Sequence, residues 1–356
     1  MQMERQDINL AFMLQYENIA WYSNGEVKIL DRRVYPAKTE FVVCRTHYEV
    51  RQAITDMVTQ SAGPFTAAGM GMALAAWECR DLPENERRNY LKNASVTIAE
   101  ARPTTKKRML FITESCLPVA FEAMEKGKDV SDAIVQHIVD MNDDRYAKVR
   151  RIAEYLVDMI PDNGKVLTQC FGETIVGMLL DVARERGKTI KMVCAETRPY
   201  FQGARLTATV CRDMGADVTV LTDNMPAWYM ETEGIDAFTC AADAICMDGH
   251  VVNKVGTYQL AIIAKYMGIP MFVTGAPDRS HPDADSITIE MRDPEFPLQA
   301  MGVRTAAQGV KGWYPSFDIT PPHLISAIVT DKGIFSPYDL KRYYDSTAPE
   351  ETEMVV

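Results

Sequence analysis

Short apolar segments alternate with longer amphipathic ones between residues 164 and 331, and this alternation constrains the fold more than any other feature. Apolar residues recur three or four positions apart in 173–187, 201–215 and 253–268, which is typical of helices. Because parallel strands need crossovers, usually helices, the pattern predicts an α/β fold with a parallel sheet covered on both faces. The β-type segments are KVLTQC (165–170), IKMVCAET (190–197), ADVTVLTD (216–223), DAFTCAAD (236–243), PMFVTGAP (270–277) and LISAIVTD (324–331).

The first part of the chain has a different pattern. Two alternating apolar segments flank Asn24-Gly25 in NIAWYSNGEVKILD, which predicts a β-hairpin. From His47 to about Met159 the spacing of apolar residues is helical. A chain of 356 residues exceeds what one hydrophobic core usually organises, so two domains are expected. The predicted boundaries are 1–145 for a smaller domain of short antiparallel strands and helices, 146–347 for the α/β domain, and 348–356 for a mobile acidic tail.

Composition excludes several classes of function. The net charge of −11 argues against a nucleic-acid-binding surface. No apolar segment is long enough to predict a membrane span, and the N-terminal MQMERQDINL does not have the order of a secretory signal. The eight cysteines include no Cys-x-x-Cys pair, so reduced thiols and a cytoplasmic location are expected.

Cofactor motifs are not found in the sequence either. No Gly-x-Gly-x-x-Gly follows the first predicted strand of the parallel sheet, and no phosphate-binding Gly-x-x-x-x-Gly-Lys-Ser/Thr occurs. GMGMAL (69–74) is interpreted instead as small residues that let helices pack closely. The five histidines show no metal-ligand spacing. We therefore expect neither a metal nor a nucleotide cofactor.

Polar residues follow the predicted strands, where ligands of open parallel sheets bind. Cys170 and Asp243 end two of these segments, and Gln202 and two arginines follow a third. A carboxylate at the end of an apolar strand, if partly desolvated, has a raised pKa and holds a proton near neutrality, although Asp243 could instead cap the next helix. Glu196, Arg198 and Arg205 are expected to form a charge network that fixes their loop.

Four motifs resemble the methylthioribose-1-phosphate isomerase family: AETRPYFQGARLTA (195–208), NKVGTYQLAIIAK (253–265), IPMFVTGAP (269–277) and YPSFDITPPHLISAIVTDKGI (314–334). EARPTT (100–105) and the hairpin extend the similarity over nearly the whole chain. The family also includes ribose-1,5-bisphosphate isomerases and the regulatory alpha, beta and delta subunits of the initiation factor two exchange factor. The resemblance implies a Rossmann-like C-terminal domain, a homodimer, and no metal or nucleotide.

The activity implied by the resemblance is conversion of an aldose 1-phosphate to the ketose 1-phosphate. The first choice of substrate is S-methyl-5-thioribose 1-phosphate, an intermediate of methionine salvage, and the alternative substrate is a related 5-deoxypentose 1-phosphate. Hydrogen moves from carbon 2 to carbon 1, through an enediol or as a hydride shift. The alternative from another class is a non-catalytic regulatory or sugar-phosphate-sensing protein.

The resemblance also implies roles for particular residues. Cys170 and Asp243 match the family's residues at the reacting carbons, against the alternative that Cys170 is one more buried thiol. The matching substrate-binding residues are Gln60, Ser61, Ala62, Arg102, Gln202, Asn253 and Lys254, for several of which a surface ion pair or cap is the alternative. Asn253 and Lys254 are expected to begin a helix. Asp318 either orients the site or caps a turn before Pro321.

The chain departs from the family near the predicted phosphate site. Gln60 stands where the methylthioribose enzymes have an arginine, and TQCFGE and AADAI differ from the family's motifs around Cys170 and Asp243. Lys106 and Lys107, which follow Arg102, are candidate phosphate-binding residues that replace the missing charge. The alternative is that these lysines are solvated residues at the start of a helix.

Overall fold

A computed structural model describes residues 5–102 and 106–345. The chain divides into two compact units, Met1–Tyr146 and Ala147–Val356, which we call unit 1 and unit 2. The predicted tail, 348–356, and Pro103, Thr104 and Thr105 of the EARPTT motif lie outside the described residues.

Unit 1 contains a three-stranded antiparallel sheet in the order β1-β2-β3 and a set of helices. The last helix continues beyond Tyr146. The strands are β1 (Ala20–Ser23), β2 (Glu26–Leu30) and β3 (Phe41–Cys44), and the helices are α1 (Tyr16–Ile19), α2 (His47–Thr55), α3 (Gly63–Glu78), α4 (Glu84–Ala99), α5 (Lys106–Glu125) and α6 (Val130–Asp158).

The hairpin and the small-residue helix of unit 1 form as the sequence predicts. Asn24 and Gly25 both have positive φ, 50° and 81°, as the preferred two-residue hairpin turn requires. Helix α3 is buried on nearly all sides. An ideal Cβ at Gly69 would lie 2.2 Å from Ile138 Cδ1, so the glycine allows α3 and α6 to approach closely.

Unit 2 is built around a seven-stranded sheet in the order β15-β14-β10-β7-β4-β5-β6. All neighbouring pairs are parallel except β14 and β15. The strands of unit 2 are β4 (Gly164–Thr168), β5 (Ile190–Ala195), β6 (Val218–Leu221), β7 (Ala237–Ala241), β8 (Ala244–Ile245), β9 (Val251–Lys254), β10 (Met271–Thr274), β11 (Gln299–Ala300), β12 (Val303–Arg304), β13 (Phe317–Thr320), β14 (Ala327–Thr330) and β15 (Gly333–Phe335). The helices are α7 (Thr174–Glu185), α8 (Ala208–Asp213), α9 (Pro226–Glu233), α10 (Thr257–Tyr266) and α11 (Arg342–Asp345).

Each of the six predicted β-type segments contains one strand of this sheet, so the prediction of a mainly parallel sheet is confirmed. Helices α7, α8 and α10 lie in the predicted helical segments, and α8 is preceded by a π-helical turn, Gly203–Thr207. Strands β4, β5 and β6 follow one another toward one edge of the sheet, and β7, β10 and β14 follow one another toward the opposite edge. The direction of winding therefore reverses between the neighbouring strands β4 and β7.

Asn253 and Lys254 do not begin a helix, and this prediction is wrong. They end strand β9, which belongs to a small antiparallel sheet in the order β13-β9-β8. Helix α10 begins only at Thr257, because Gly256 has a φ of 105°, a conformation that a helix cannot contain. The segment thus starts as a strand and becomes helical after the glycine.

The described residues contain neither a metal-binding cluster nor a membrane-spanning helix. In residues 5–102 and 106–345 no group of three or more His, Cys, Asp or Glu side chains is arranged to hold a metal ion. Across the same residues no helix is both long and apolar enough to cross a membrane.

Candidate active site

Cys170 and Asp243 lie at the point where the winding of the unit 2 sheet reverses. Cys170 follows β4 and Asp243 follows β7, and these two strands are parallel neighbours. Their carboxyl ends meet at the same edge of the sheet, which is where open α/β sheets bind ligands. The charge of Asp243 acts on the Cys170 thiol and raises its pKa, which indicates that the two side chains interact.

The backbone of Cys170 is held in an unusual conformation. Its φ is 62°, in the left-handed region that few non-glycine residues occupy. The Cys170 N–H donates to Thr197 Oγ1 (3.0 Å), and the Cys170 carbonyl accepts from Thr207 Oγ1 (2.5 Å). Two threonines from the neighbouring segment therefore fix the direction in which the thiol points.

The Cys170 thiol is distinguished from the other seven by its exposure. It is half-buried, whereas the remaining cysteines are all buried. Burial raises the pKa of Cys170 to about 11, with Lys254 opposing this shift and Asp243 adding to it. The thiol is therefore protonated at neutral pH, and it is suited to donating a proton rather than to attacking as a thiolate.

Asp243 differs from its expected environment. It is an exposed residue, so the expected partial desolvation is not observed. Its N–H donates to the Val252 carbonyl (2.8 Å), and the chain continues into β8 rather than into a helix, so Asp243 caps no following helix. The carboxylate is thus held at the strand end by backbone pairing and faces solvent.

Strand β13 positions Asn253 and Lys254 from the neighbouring side. Asn253 lies opposite Asp318, and Lys254 lies opposite Phe317. Lys254 is 5 % exposed, and its Nζ lies 5.2 Å from the centre of the Phe317 ring. Asn253 Nδ2 donates to Thr257 Oγ1 (3.1 Å). A buried ammonium group held against an aromatic ring and acting on the Cys170 thiol is suited to binding an anionic substrate.

Asp318 caps the start of α10. Its Oδ2 accepts from the Gly256 N–H (2.7 Å), and its Oδ1 accepts from the Tyr258 N–H (3.1 Å). The alternative of a cap before Pro321 is therefore wrong, because the capped helix precedes Asp318 in the chain. Burial raises the pKa of Asp318 to about 6, while these two N–H groups oppose the shift. Asp318 thereby fixes the segment that carries Asn253 and Lys254.

Gln202 is buried with an unsatisfied oxygen. It is 7 % exposed, and among the described residues its Oε1 has no hydrogen-bond partner. The adjacent Gly203 packs so tightly that an ideal Cβ would lie 1.7 Å from the Ala195 carbonyl oxygen. Such an oxygen is costly unless a ligand supplies a donor, which agrees with a substrate-binding role.

The arginines near Gln202 bond to backbone carbonyls. Arg198 Nη2 donates to the Gln299 carbonyl (2.8 Å), and Arg205 Nη2 donates to the Tyr200 carbonyl (2.9 Å). The positive charge of Arg198 also lowers the pKa of Glu196, although burial raises it overall. The predicted charge network is thus represented by the electrostatic effect of Arg198 on Glu196, and hydrogen bonds from the two arginines to the main chain fix the loop.

Three candidate residues of unit 1 directly precede α3, and the other three lie further along the chain. Gln60 is 4 % exposed, Ser61 has a φ of 57°, and Ala62 immediately precedes the helix. Arg102 is partly buried. Lys106 is paired with Glu100 (3.0 Å) and Lys107 is exposed, which favours the alternative that these lysines are surface residues.

Sequence reasoning missed three basic or aromatic residues. Arg292 acts on the Cys170 thiol and lowers its pKa, and its N–H donates to the Tyr314 carbonyl (2.9 Å). The Tyr314 ring lies 5.9 Å from Lys254 Nζ. Arg32 is fully buried in unit 1 and donates to the Gln60 carbonyl. No motif marks Arg292 or Arg32, because neither follows a strand of the parallel sheet.

The chain belongs to the initiation factor 2 subunit family, whose model matches residues 60–337. Its curated relatives include a methylthioribose-1-phosphate isomerase of Thermotoga maritima, 34% identical over 335 residues, which are 91% of this chain and 96% of the relative. A 5-deoxyribose 1-phosphate isomerase of Clostridium botulinum is 35% identical over 339 residues, 90% of this chain and 95% of the relative. The family inferred from the four motifs is thereby confirmed.

Two solved structures are similar over most of the chain. The 5-methylthioribose 1-phosphate isomerase from Pyrococcus horikoshii OT3 has a TM-score of 0.81 at 28% identity, covering 93% of this chain and 96% of that one. Translation initiation factor eIF-2B, subunit delta, from A. fulgidus has a TM-score of 0.77 at 30% identity, covering 90% and 96%. Both sugar-phosphate isomerases and initiation factor subunits thus share this architecture.

Proposed function

We propose that the protein is an isomerase that converts an aldose 1-phosphate to the ketose 1-phosphate. The observation that carries the proposal is the pairing of a protonated thiol, Cys170, with a carboxylate, Asp243, where the winding of the sheet reverses. Relatives named methylthioribose-1-phosphate isomerase and 5-deoxyribose 1-phosphate isomerase support it. The substrate is S-methyl-5-thioribose 1-phosphate, with a place in methionine salvage, or a related 5-deoxypentose 1-phosphate.

The chemistry of such a substrate defines what the two residues do. Phosphate on the anomeric oxygen prevents the ring from opening as a free sugar does, so the ring oxygen needs a proton. The whole reaction moves one hydrogen from carbon 2 to carbon 1 and one proton from the 2-hydroxyl to the ring oxygen. One member of the Cys170–Asp243 pair protonates the ring oxygen, and the other accepts the hydroxyl proton. Both the enediol and the hydride-shift route satisfy this balance.

The substrate-binding roles are proposed for each unit by itself. In unit 2, Lys254 contributes a positive charge, and Asn253 and Gln202 contribute amide groups that bond sugar hydroxyls or phosphate. In unit 1, Arg102 and the turn formed by Gln60, Ser61 and Ala62 bind phosphate. These assignments follow from matches to the family's motifs and from the burial of Gln202, Asn253 and Lys254.

Three features of the whole protein belong to the same proposal. The order of the parallel strands, renumbered from β4, reads 3-2-1-4-5-6, which supports a Rossmann-like domain. Units 1 and 2 are interpreted as the two predicted domains, and the active form as a homodimer. Eight free cysteines agree with a reducing compartment, the cytoplasm.

The proposal is tested by incubating the purified protein with a panel of pentose 1-phosphates that differ at carbon 5. Carbon-13 NMR distinguishes the new ketone carbon of the product from the anomeric carbon of the substrate. We expect ketose from substrates with a methylthio or methyl group at carbon 5. Absence of ketose from every member of the panel would contradict the proposal.

A regulatory function is the second candidate, because an initiation factor subunit is as similar in sequence as the isomerase structure. A sensor binds sugar phosphate without changing it, and it needs no proton donor beside a carboxylate. Saturable binding of a pentose 1-phosphate with no ketose product would favour this candidate over the isomerase.

A further inference from the structure

A buried guanidinium lies beneath the turn that leads into α3. Arg32 is 0 % exposed, and its Nη1 donates to the Gln60 carbonyl (2.6 Å), while its Nη2 donates to the Met13 carbonyl (3.4 Å). An ideal Cβ at Gly63 would lie 3.1 Å from Arg32 Nη1 and 2.1 Å from Thr59 Oγ1. The first residue of α3 therefore packs directly against both the guanidinium and the Thr59 hydroxyl.

The bond from Arg32 fixes the orientation of the turn. In a trans peptide the C=O and the following N–H point in opposite directions, so a Gln60 carbonyl held toward Arg32 directs the Ser61 N–H away from it. Ser61 has a φ of 57° and Ala62 a φ of −82°, a left-handed residue followed by a right-handed one. This succession leads into the N-terminus of a 16-residue helix, whose dipole favours an anion, while the Gly63 N–H turns back to the Gln60 carbonyl (3.2 Å).

Two polar side chains of the same turn have an unused hydrogen-bonding atom. Thr59 is 0 % exposed and Gln60 is 4 % exposed, and within the described part of the chain neither Thr59 Oγ1 nor Gln60 Oε1 has a hydrogen-bond partner. Buried polar atoms normally have partners, because leaving them without one is costly. The Thr59 hydroxyl can donate to a phosphate oxygen, so it points to an anionic ligand at this turn. The Gln60 Oε1 is itself an acceptor, and the donor that this amide offers to an anion is its Nε2.

We propose that Arg32 is the positioning residue of a phosphate site at this turn, and that its charge replaces the one that Gln60 does not carry. The inference rests on the proposed function in taking the ligand to be the substrate's phosphate. Arg32 lies beneath the turn and acts through the Gln60 carbonyl and through its positive charge, and the Thr59 hydroxyl donates to the phosphate. A dianion at this position also offsets the cost of burying the guanidinium.

The test measures binding of inorganic phosphate to the full chain by calorimetry, which needs no turnover. Arg32→Met should weaken phosphate binding by at least about tenfold, since a charge-assisted interaction is lost. Arg32→Lys keeps the charge and should fall between Arg32→Met and the wild type. Arg33→Met is the matched control, because the neighbouring Arg33 is exposed and pairs with Asp31. Gln60→Arg added to Arg32→Met should recover binding.

A comparison of two ligands distinguishes a positioning role of Arg32 from a general structural role. Binding of unphosphorylated 5-deoxyribose should stay within about twofold in Arg32→Met, a change close to the error of such measurements, whereas general damage would weaken both ligands. If Arg32→Met does not fold, phosphate binding by Arg32→Lys and Thr59→Val tests the inference instead. Thr59→Val replaces an unpartnered hydroxyl by a methyl group of the same size. Wild-type phosphate affinity in both of these variants would overturn the inference.

The outcomes also separate this inference from the proposed function. Phosphate binding that depends on Arg32, in a protein that isomerises no pentose 1-phosphate, would overturn the function and leave the site standing. Isomerase activity with a KM that is unchanged in Arg32→Lys would leave the function standing and overturn the site.

Discussion

At the scale of single residues, the environment of Cys170 defines what its thiol can do. The reactive cysteines of enzymes are usually thiolates, because nearby cations lower the pKa of the thiol. Here burial and the negative charge of Asp243 raise the pKa of Cys170 by more than the positive charges of Lys254 and Arg292 lower it. The pKa is therefore raised to about 11. A thiol of this kind holds its proton until a stronger base forms beside it, and the developing negative charge on a ring oxygen is such a base.

Removing either member of the pair should abolish most of the activity. Cys170→Ser and Asp243→Asn should each lower kcat by at least about a hundredfold, the low end for loss of a catalytic acid or base. Circular dichroism and the melting temperature should stay near the wild-type values. Cys116→Ser is the matched control, because Cys116 is a buried thiol bonded to the Ile112 carbonyl, and it should keep its activity. Near-normal kcat in Cys170→Ser or in Asp243→Asn would remove that residue from the mechanism.

Asp318 should make stability depend on pH in a defined direction. Its pKa is raised from 3.8 to about 6, so the folded protein retains a proton that the unfolded chain releases in this interval. The stability contributed by the protonated form is therefore present below about pH 4 and lost as the pH rises through about 6, by up to about 3 kcal/mol. Asp318→Asn mimics the protonated form and should remove this decline.

Urea unfolding of the wild type and of Asp318→Asn, measured from pH 4 to pH 8, checks the sign. The free energy of unfolding of the variant, relative to the wild type, should rise across pH 4 to 6 and then level off. A difference between the two proteins that does not change with pH would show that Asp318 does not titrate in this range.

At the scale of helices and strands, the sequence predicts those elements whose position depends on a local pattern of apolar residues. The strands of the parallel sheet are short apolar segments between helices, so their positions, and with them Cys170 and Asp243, follow from the alternation. The sequence does not predict the conformation of Asn253 and Lys254, because it depends on the pairing of β9 with β13, a strand that is remote in sequence. Arg292 lies in the connection between β10 and β11, and its approach to Cys170 depends on tertiary packing that no periodicity encodes.

The packing of α3 supplies a prediction at the same scale. Gly69→Ala should lower the free energy of unfolding by about 1–2 kcal/mol, because overpacking against Ile138 exceeds the gain in helix propensity. Gly71→Ala is the matched control in the same helix, since its Cβ would lie 3.0 Å from Val50 Cγ1 and only small shifts are needed. It should stay within about 0.5 kcal/mol of the wild type. Equal destabilisation in urea unfolding would show that Ile138 does not limit the approach of α3 and α6.

At the scale of the whole molecule, ligand binding should separate this protein from nucleotide-dependent enzymes with similar sheets. The missing glycine motif after β4 leaves the sheet edge to Cys170, whose strained backbone is bonded to Thr197 and Thr207. A dinucleotide needs a glycine-rich turn there so that its pyrophosphate can approach the backbone. We therefore expect the same edge to bind a small sugar phosphate and not NAD.

A pentose 1-phosphate should consequently stabilise the folded protein, and NAD and ATP should not. At about a hundred times its dissociation constant, a ligand that binds only the folded state adds about 2.7 kcal/mol to the free energy of unfolding. Thermal unfolding of Asp243→Asn, which retains the binding residues, keeps the sugar phosphate intact during the measurement and should show a similar shift. Every sample contains inorganic phosphate, so that binding of a phosphate group, which all three ligands carry, causes no difference between them. A melting shift with NAD or ATP alone would then contradict the isomerase assignment and point to a nucleotide-dependent protein.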